Sequence, residues 1–464
     1  MKVEQIYTGC LAEAAYYIES RGEAAIIDPL RETAPYIRRV EKDNAEIKYV
    51  FETHFHADFV SGHVELAQKT GAKIVYGPDA QCGFDCYSAK DGEEFKVGDL
   101  TIRVLHTPGH TQESSTFLLL DENGKEYCIF SGDTLFIGDV GRPDLAIKSD
   151  LTVTDLAGML YDSLHNKIIP LPDHVIVYPA HGAGSACGKN LSKETFDTLG
   201  HQKEVNYALK PQSKEDFIEA VTDGLAPAPQ YFPLNAMMNK QGAEGLDEIN
   251  TRAMHGLSPQ EFEDRAVATS ALILDTRAPQ VFAKAYIPGS INIGVDGQFA
   301  PWVGALITDI NQPILLVCDE GREEENIMRL ARVGYDHTLG YLAGGMNAWQ
   351  KAGKPIDQVP SVSALDFEKD HWNHDLCVID IRRPGEYETA HLADVSNKPL
   401  DYINDWIGSL DRDKTYYVHC AGGYRSMIAA SILKARGFRD VIDIAGGYGA
   451  IAKTGLPKAS GVEV

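Results

Sequence analysis

The stretch Thr53-His54-Phe55-His56-Ala57-Asp58-Phe59 decides how this chain is read. It sets two imidazoles and a carboxylate close together at the end of an apolar run, YVFETH (49–54). Three later segments each add a ligand-type side chain beside a turn residue: His110 in HTPGH, Asp133 in FSGDTLF and His181 in YPAHG. A lone histidine is ordinarily a surface or core residue. Four separated segments of this kind point together to one metal centre. Pro108-Gly109 and Gly132 let the backbone bend sharply beside a ligand. Each candidate also stands just past the C-terminal end of an apolar run, where loops converge on one rim of a sheet.

Outward from that stretch, residues 1 to about 200 alternate strand-like runs with turns: AAIIDP (24–29), KIVYGP (73–78), LTIRVLHTPGH (100–110), STFLLLD (115–121), YCIFSGD (127–133) and HVIVYPAHG (174–182). Helix-like segments lie between them, at 61–71 and 152–166. From 200 to 257 the composition changes. SKEDFIEAVTDGL is amphipathic, and the proline spacing of APAPQYFP forbids a regular helix there. This predicts an extended arm or linker packed on the first domain.

The remainder is a repeat. LILDTRAPQVFAKAYIPGSINI (272–293) parallels CVIDIRRPGEYETAHLADVSN (377–397), ILLVCDEGREE (314–324) parallels YYVHCAGGYRS (416–426), and YLAGGMNAW (341–349) parallels DIAGGYGAI (443–451). Two copies of an α/β unit fit, joined by KPIDQVPSVSA (354–364); a period this long indicates duplicated domains rather than a solenoid. The expected organisation is therefore 1–257, 258–357 and 363–464.

The length of 464 residues agrees with about three domains. No apolar run is long enough for a membrane span. The opening MKVEQIYTG has no basic n-region or apolar h-region, so no signal peptide is expected and the expected location is cytoplasmic. Lys and Arg total 43 against 67 Asp and Glu, a net charge of −24 with no basic stripe. Nucleic acid and membranes are thereby excluded as partners. The eight cysteines are scattered, without a disulfide rhythm. Cys82 and Cys86 form an isolated CxxxC and read as ordinary free thiols.

The four-segment pattern resembles the metallo-β-lactamase superfamily, whose motif usually reads HxHxDH. There the last histidine helps hold a second metal; here it is Phe59, which favours one metal. The resemblance is closer to one branch, the persulfide dioxygenases, and implies an αββα sandwich with one Fe(II) per chain held by His54, His110 and Asp133. Two imidazoles and a carboxylate leave positions for O2 and a thiolate, the arrangement of non-haem iron oxygenases. His56, Asp58 and His181 would orient ligands or waters. Phe59 departs from that branch and leaves the three iron ligands intact. Arg142, in IGDVGRPDL (137–145), resembles a family arginine that faces the substrate; its alternative is a local pair with Asp139 or Asp144. Cys187, in AGSACGK, is a possible sulfur carrier or an inert packing thiol.

The second repeat carries a sharper signature. Cys420 ends an apolar strand and precedes a helix, so it feels the helix dipole and free N–H groups. Gly422 and Gly423 let the backbone curl into an anion cradle that Arg425 completes. C-x4-R is one residue shorter than the tyrosine-phosphatase loop. It resembles the rhodanese family, as do Asp380, Arg382, Glu386 and His391, and implies that Cys420 carries a sulfane sulfur. In the first repeat Glu323 takes the place of Arg425, and Asp319, Glu320, Glu323 and Glu324 crowd Cys318. Carboxylates raise a thiol pKa and repel anions, so this copy reads as a degenerate, structural rhodanese unit. The fold expected is α/β multidomain, with the sandwich followed by two doubly wound rhodanese-like domains.

The whole chain resembles a fusion of persulfide dioxygenase, degenerate rhodanese and active rhodanese. The resemblance implies an enzyme of sulfide detoxification. It would oxidise a low-molecular-weight thiol persulfide with O2 to sulfite and thiol, and move sulfane sulfur to or from sulfite or thiosulfate through Cys420. A homo-oligomer is expected. Two alternatives stay open: a glyoxalase-II-like binuclear thioester hydrolase with an accessory rhodanese, and a non-enzymatic sulfur sensor or scaffold.

Overall fold

A computed structural model describes residues 1–145, 151–373 and 376–461; positions 462–464 of the expected third domain lie outside them. The chain divides into two compact units, Met1–Glu248 with Ala331–Gly334, and Ile249–Leu330 with Tyr335–Val464.

The first unit is a four-layer sandwich. One six-stranded sheet runs Lys2–Thr8, Glu13–Ser20, Glu23–Ile27, Glu46–Glu52, Lys73–Tyr76, Tyr87–Ser88 in spatial order. The facing sheet runs Asp197–Thr198, Ile176–Pro179, Glu126–Gly132, Ser115–Leu120, Leu100–His106, Glu94–Val97. Several strands are apolar at consecutive positions because both faces are covered. In Glu13–Ser20, Tyr16 and Ile18 point between the sheets with Phe51, Phe117 and Phe130. Tyr17 points outward onto the helix Ala34–Asp43, beside Tyr36 and Val40. On the other outer face, Leu160 of the helix Val153–Ser163 meets Phe217 and Val221 of Lys214–Thr222.

Two expectations need correction. The arm is mostly helical, with Leu199–Val205, Lys214–Thr222, Phe232–Gln241 and Leu246–Ala253. The proline-rich stretch before Phe232 stays irregular. Pro233 falls in the first turn of Phe232–Gln241, where a missing N–H costs nothing. Cys82 and Cys86 are not free thiols but a disulfide, closing a short loop that places Phe84 against His63 with ring centroids 4.9 Å apart.

The second unit holds the repeat as two five-stranded parallel sheets. Their orders are Gly256–Leu257, Thr338–Leu342, Ile314–Val317, Leu272–Asp275, Ile291–Asn292 and Ser361–Ser363, Val441–Ala445, Tyr416–His419, Cys377–Asp380, Ser396–Asn397. The two orders correspond strand for strand. The buried strands ILLV and YYVH each end at a cysteine, Cys318 and Cys420. Among the described residues, no helix is long and apolar enough to cross a membrane.

Candidate metal centre and thiol site

The loop after Glu46–Glu52 is built to aim imidazoles. Asp28, in a left-handed conformation (φ 50°) after Glu23–Ile27, accepts from Thr53 N at 2.7 Å and Thr53 Oγ1 at 2.9 Å. Thr53 Oγ1 lies 3.0 Å from His54 Nδ1. His110 Nδ1 is 2.8 Å from the Arg142 carbonyl, and His181 Nδ1 is 3.3 Å from the Ala12 carbonyl. With each Nδ1 so engaged, the Nε2 atoms face Asp133. His54 and His110 lie 3.9 and 3.4 Å from its Oδ2, and His181 lies 3.6 Å from its Oδ1. Burial, then the neighbouring His56, His110 and His181, pushes the His54 pKa well below its usual value, so the ring is a neutral donor.

Among the described residues, neither oxygen of the buried Asp133 is hydrogen-bonded, and His181 Nε2 is unpaired too. A buried carboxylate left this way is costly. It faces imidazoles oriented by their other nitrogen, the pattern of a metal site. His54, His110 and Asp133 thus fit a single cation.

His56 is used differently. Its Nε2 lies 3.1 Å from Asp28 Oδ1 and 3.6 Å from Glu52 Oε2. Burial opposes the charged ring, but the carboxylates outweigh it and carry its pKa up to about 9. The His56 ring is also within ligand reach of Asp58 and His181. The fully buried Phe59 ring sits 4.4 Å from that of His56, centroid to centroid. Of the remaining second-site groups, His181 and Asp58 are 3.5 Å apart.

The Arg142 side chain pairs with Asp144 at 2.6 and 2.7 Å, and also donates to the Ala226 carbonyl. Its backbone carbonyl is what touches the centre, through His110. Cys187 is buried within ligand reach of Asp133 and His181. Burial, with Asp58 and Asp133 adding to it, pushes its thiol well above the ordinary range.

Some residues around this centre go unmarked by the sequence patterns. Asn239, on the helix Phe232–Gln241, donates to the carbonyls of His56 and Phe59 and accepts from Ser61 N. Glu52 binds His63 Nδ1 at 3.1 Å. For Asp28 the signal was present, a carboxylate between an apolar run and Pro29.

In the second unit, Cys420 stands between Tyr416–His419 and the helix Tyr424–Ala435. Gly423 N donates to its Sγ at 3.0 Å, and Gly423 takes φ 109° as the helix cap. The thiol lies 3.6 Å from Ser426 Oγ, which donates to Asp443 at 2.6 Å. Arg425 is held bidentately by Glu386 at 2.6 and 2.7 Å. Above the thiol lies a cavity of about 420 Å³, bordered by Arg383, Gly422, Tyr424 and Arg425, and by Gln298 and Trp302 of the first repeat. The Cys318 thiol is pushed up to about 12 by burial, then by Glu323, Asp275 and Asp319.

Family profiles match separate parts of the chain. The metallo-beta-lactamase superfamily profile matches residues 8–84, and the rhodanese-like domain profile matches 258–352 and 363–454. A metallo-beta-lactamase from Staphylococcus aureus, of known crystal structure, is 31% identical, covers 74% of this chain and 98% of its own, and superposes with a TM-score of 0.64. The chain belongs to the metallo-beta-lactamase superfamily and carries two rhodanese-like domains. Among curated members of this superfamily, persulfide dioxygenase ETHE1 of Homo sapiens is 31% identical over 46% of this chain and 76% of its own length. The probable hydroxyacylglutathione hydrolase glo2 of Schizosaccharomyces pombe is 30% identical over 41% of this chain and 70% of its own. Two further hydroxyacylglutathione hydrolases are matched over 65% and 60% of their length.

Proposed function

We propose that this superfamily member is a persulfide dioxygenase coupled to a sulfurtransferase, with the metal chemistry in residues 1–257, a degenerate rhodanese unit in 258–357 and the active one in 363–464. His54, His110 and Asp133 would hold one Fe(II). When bound, iron supplies redox chemistry that lets O2 oxidise a sulfur, with sites open to a thiolate.

The observation that carries this reading is Phe59, a fully buried ring without a donor atom at the position of the motif's last histidine. It removes one donor from a second metal site and so favours a mononuclear centre. The chain's own residues orient the donors: Thr53, the Arg142 carbonyl and the Ala12 carbonyl occupy the Nδ1 atoms. Cys187 is the candidate to carry sulfur beside the centre, and Arg142 fixes His110 rather than gripping substrate. At Cys420 the thiolate attacks the outer sulfur of thiosulfate or a persulfide. A sulfur–sulfur bond forms on Sγ, the donor's bond breaks, and sulfite or thiolate leaves with the electron pair. The Gly423 N–H steadies the anionic sulfur.

Iron-loaded full-length protein should consume O2 with glutathione persulfide and release sulfite. The resemblance to hydroxyacylglutathione hydrolases favours a second reading, a binuclear thioester hydrolase. About two metals per chain, thioester cleavage and no O2 uptake would establish that one instead.

A further inference from the structure

The cavity over Cys420 is composite. Its floor belongs to the second repeat, while Trp302 and Gln298 come from the first. At about 420 Å³ it is of the size that encloses organic ligands, and thiosulfate alone would leave much of it to water. Trp302 lies in the helix Phe299–Leu306 and is 4% exposed, so its ring is fixed by packing. Gln298 is exposed and offers an amide. Arg383, its side chain 61% exposed and 3.4 Å from Asp401, adds a guanidinium.

The first repeat is also fitted to the cradle itself. Tyr424, between Gly423 and Arg425, donates its hydroxyl to the Gly294 carbonyl at 2.7 Å. A Cβ on Gly297 would stand 2.3 Å from the Tyr424 ring, so that position must lack a side chain. Asn292 N donates to Ser431 Oγ at 2.8 Å. The repeat whose own thiol is held protonated thus keeps its contacts with the working one.

An aromatic wall, an amide and an exposed cation around a sulfur suit a thiol bearing amide and carboxylate groups better than a bare inorganic anion. We propose that the degenerate repeat is the thiol-binding half of the sulfurtransferase site, with Trp302 and Gln298 as specificity-determining residues for a small peptidic thiol. This rests on Cys420 carrying sulfane sulfur. The acceptor thiolate attacks the outer sulfur of the Cys420 persulfide. The new bond forms in R–S–S⁻, and the Sγ–S bond breaks with its electron pair returning to Sγ, so no outside oxidant or reductant is needed.

The test uses full-length protein, thiosulfate as donor, and glutathione or cyanide as acceptor. Trp302→Ala should lower kcat/KM for glutathione relative to cyanide by about tenfold, mainly through KM. Trp302→Phe should restore most of it, and Gln298→Ala should shift the same ratio in the same direction. An unchanged ratio in both alanine variants, or equal losses with both acceptors, overturns the proposal. Should Trp302→Ala not fold, Gln298→Ala decides it by the same ratio. Loss of the underlying reading registers separately, as a Cys420→Ser protein that still acquires cyanolysable sulfur from thiosulfate.

Discussion

Asn239 grips Phe59 by its backbone: the side-chain amide donates to the Phe59 carbonyl at 2.7 Å, and to the His56 carbonyl at the same distance. The loop carrying His54, His56 and Asp58 is therefore closed by a helix of the arm. Replacing Asn239 with alanine would leave two carbonyls and Ser61 N buried without that partner. Unfilled buried groups cost about 1–3 kcal/mol each. The variant should melt several degrees lower and bind metal more weakly, as read by calorimetry and metal titration. Unchanged values for both would show that the loop holds itself.

His56 and Asp133 should separate in their effects. Asp133→Asn should empty the centre, seen as loss of bound metal by elemental analysis. His56→Gln removes the cation between buried Asp28 and Glu52, a change worth about 3 kcal/mol or more. It should destabilise the fold while metal per chain stays near one. A His56→Gln protein that folds normally but loses its metal would reverse the assignment.

Cys318 should be chemically quiet. With its thiol pushed up to about 12, it stays protonated at neutral pH. Its alkylation rate in Cys420→Ser protein should rise about tenfold per pH unit through the alkaline range without a plateau. Cys318→Ser should transfer sulfur within about twofold of the parent. A plateau near neutral pH would mean that the crowding carboxylates do not govern this thiol.

Gly447 supports the cradle from behind. It takes φ 55°, and a Cβ there would stand 2.3 Å from the Cys420 carbonyl. Gly447→Ala should lower stability by about 1–3 kcal/mol and slow sulfur transfer. Gly385→Ala, where a Cβ meets nothing within 4 Å, is the control and should do neither. Equal behaviour of the two would remove the backbone argument.

The Cys82–Cys86 bond predicts a thiol count. Denatured but unreduced protein should titrate as six free thiols from eight cysteines, the free set being Cys10, Cys128, Cys187, Cys318, Cys377 and Cys420. Full reduction should add two more. Eight before reduction would contradict the bridge.

Legibility followed the range of the interactions. His54, His110 and Asp133 are readable because strand-end position and neighbouring turn residues are local features, and the cradle at Cys420 is readable for the same reason. The repeat is visible because its parallel segments keep nearly constant spacing. Asn239 is a single amide in a polar stretch, and its importance comes from a loop some 180 residues earlier. Trp302 reads as an ordinary core aromatic until the second repeat is set against it. The helix at Phe232 was hidden by Pro233, which reads as a breaker unless it is known to fall in the first turn. The disulfide was missed because proximity in space, not spacing alone, decides whether two thiols join.

The bond between Asn239 and the motif loop also sets an order of events in biosynthesis. The loop leaves the ribosome some 180 residues ahead of the amide that closes it. At ordinary elongation rates that is an interval of about ten to forty seconds. During it the histidines are made but their loop lacks its clasp, so the metal capture proposed above would follow the emergence and docking of the arm.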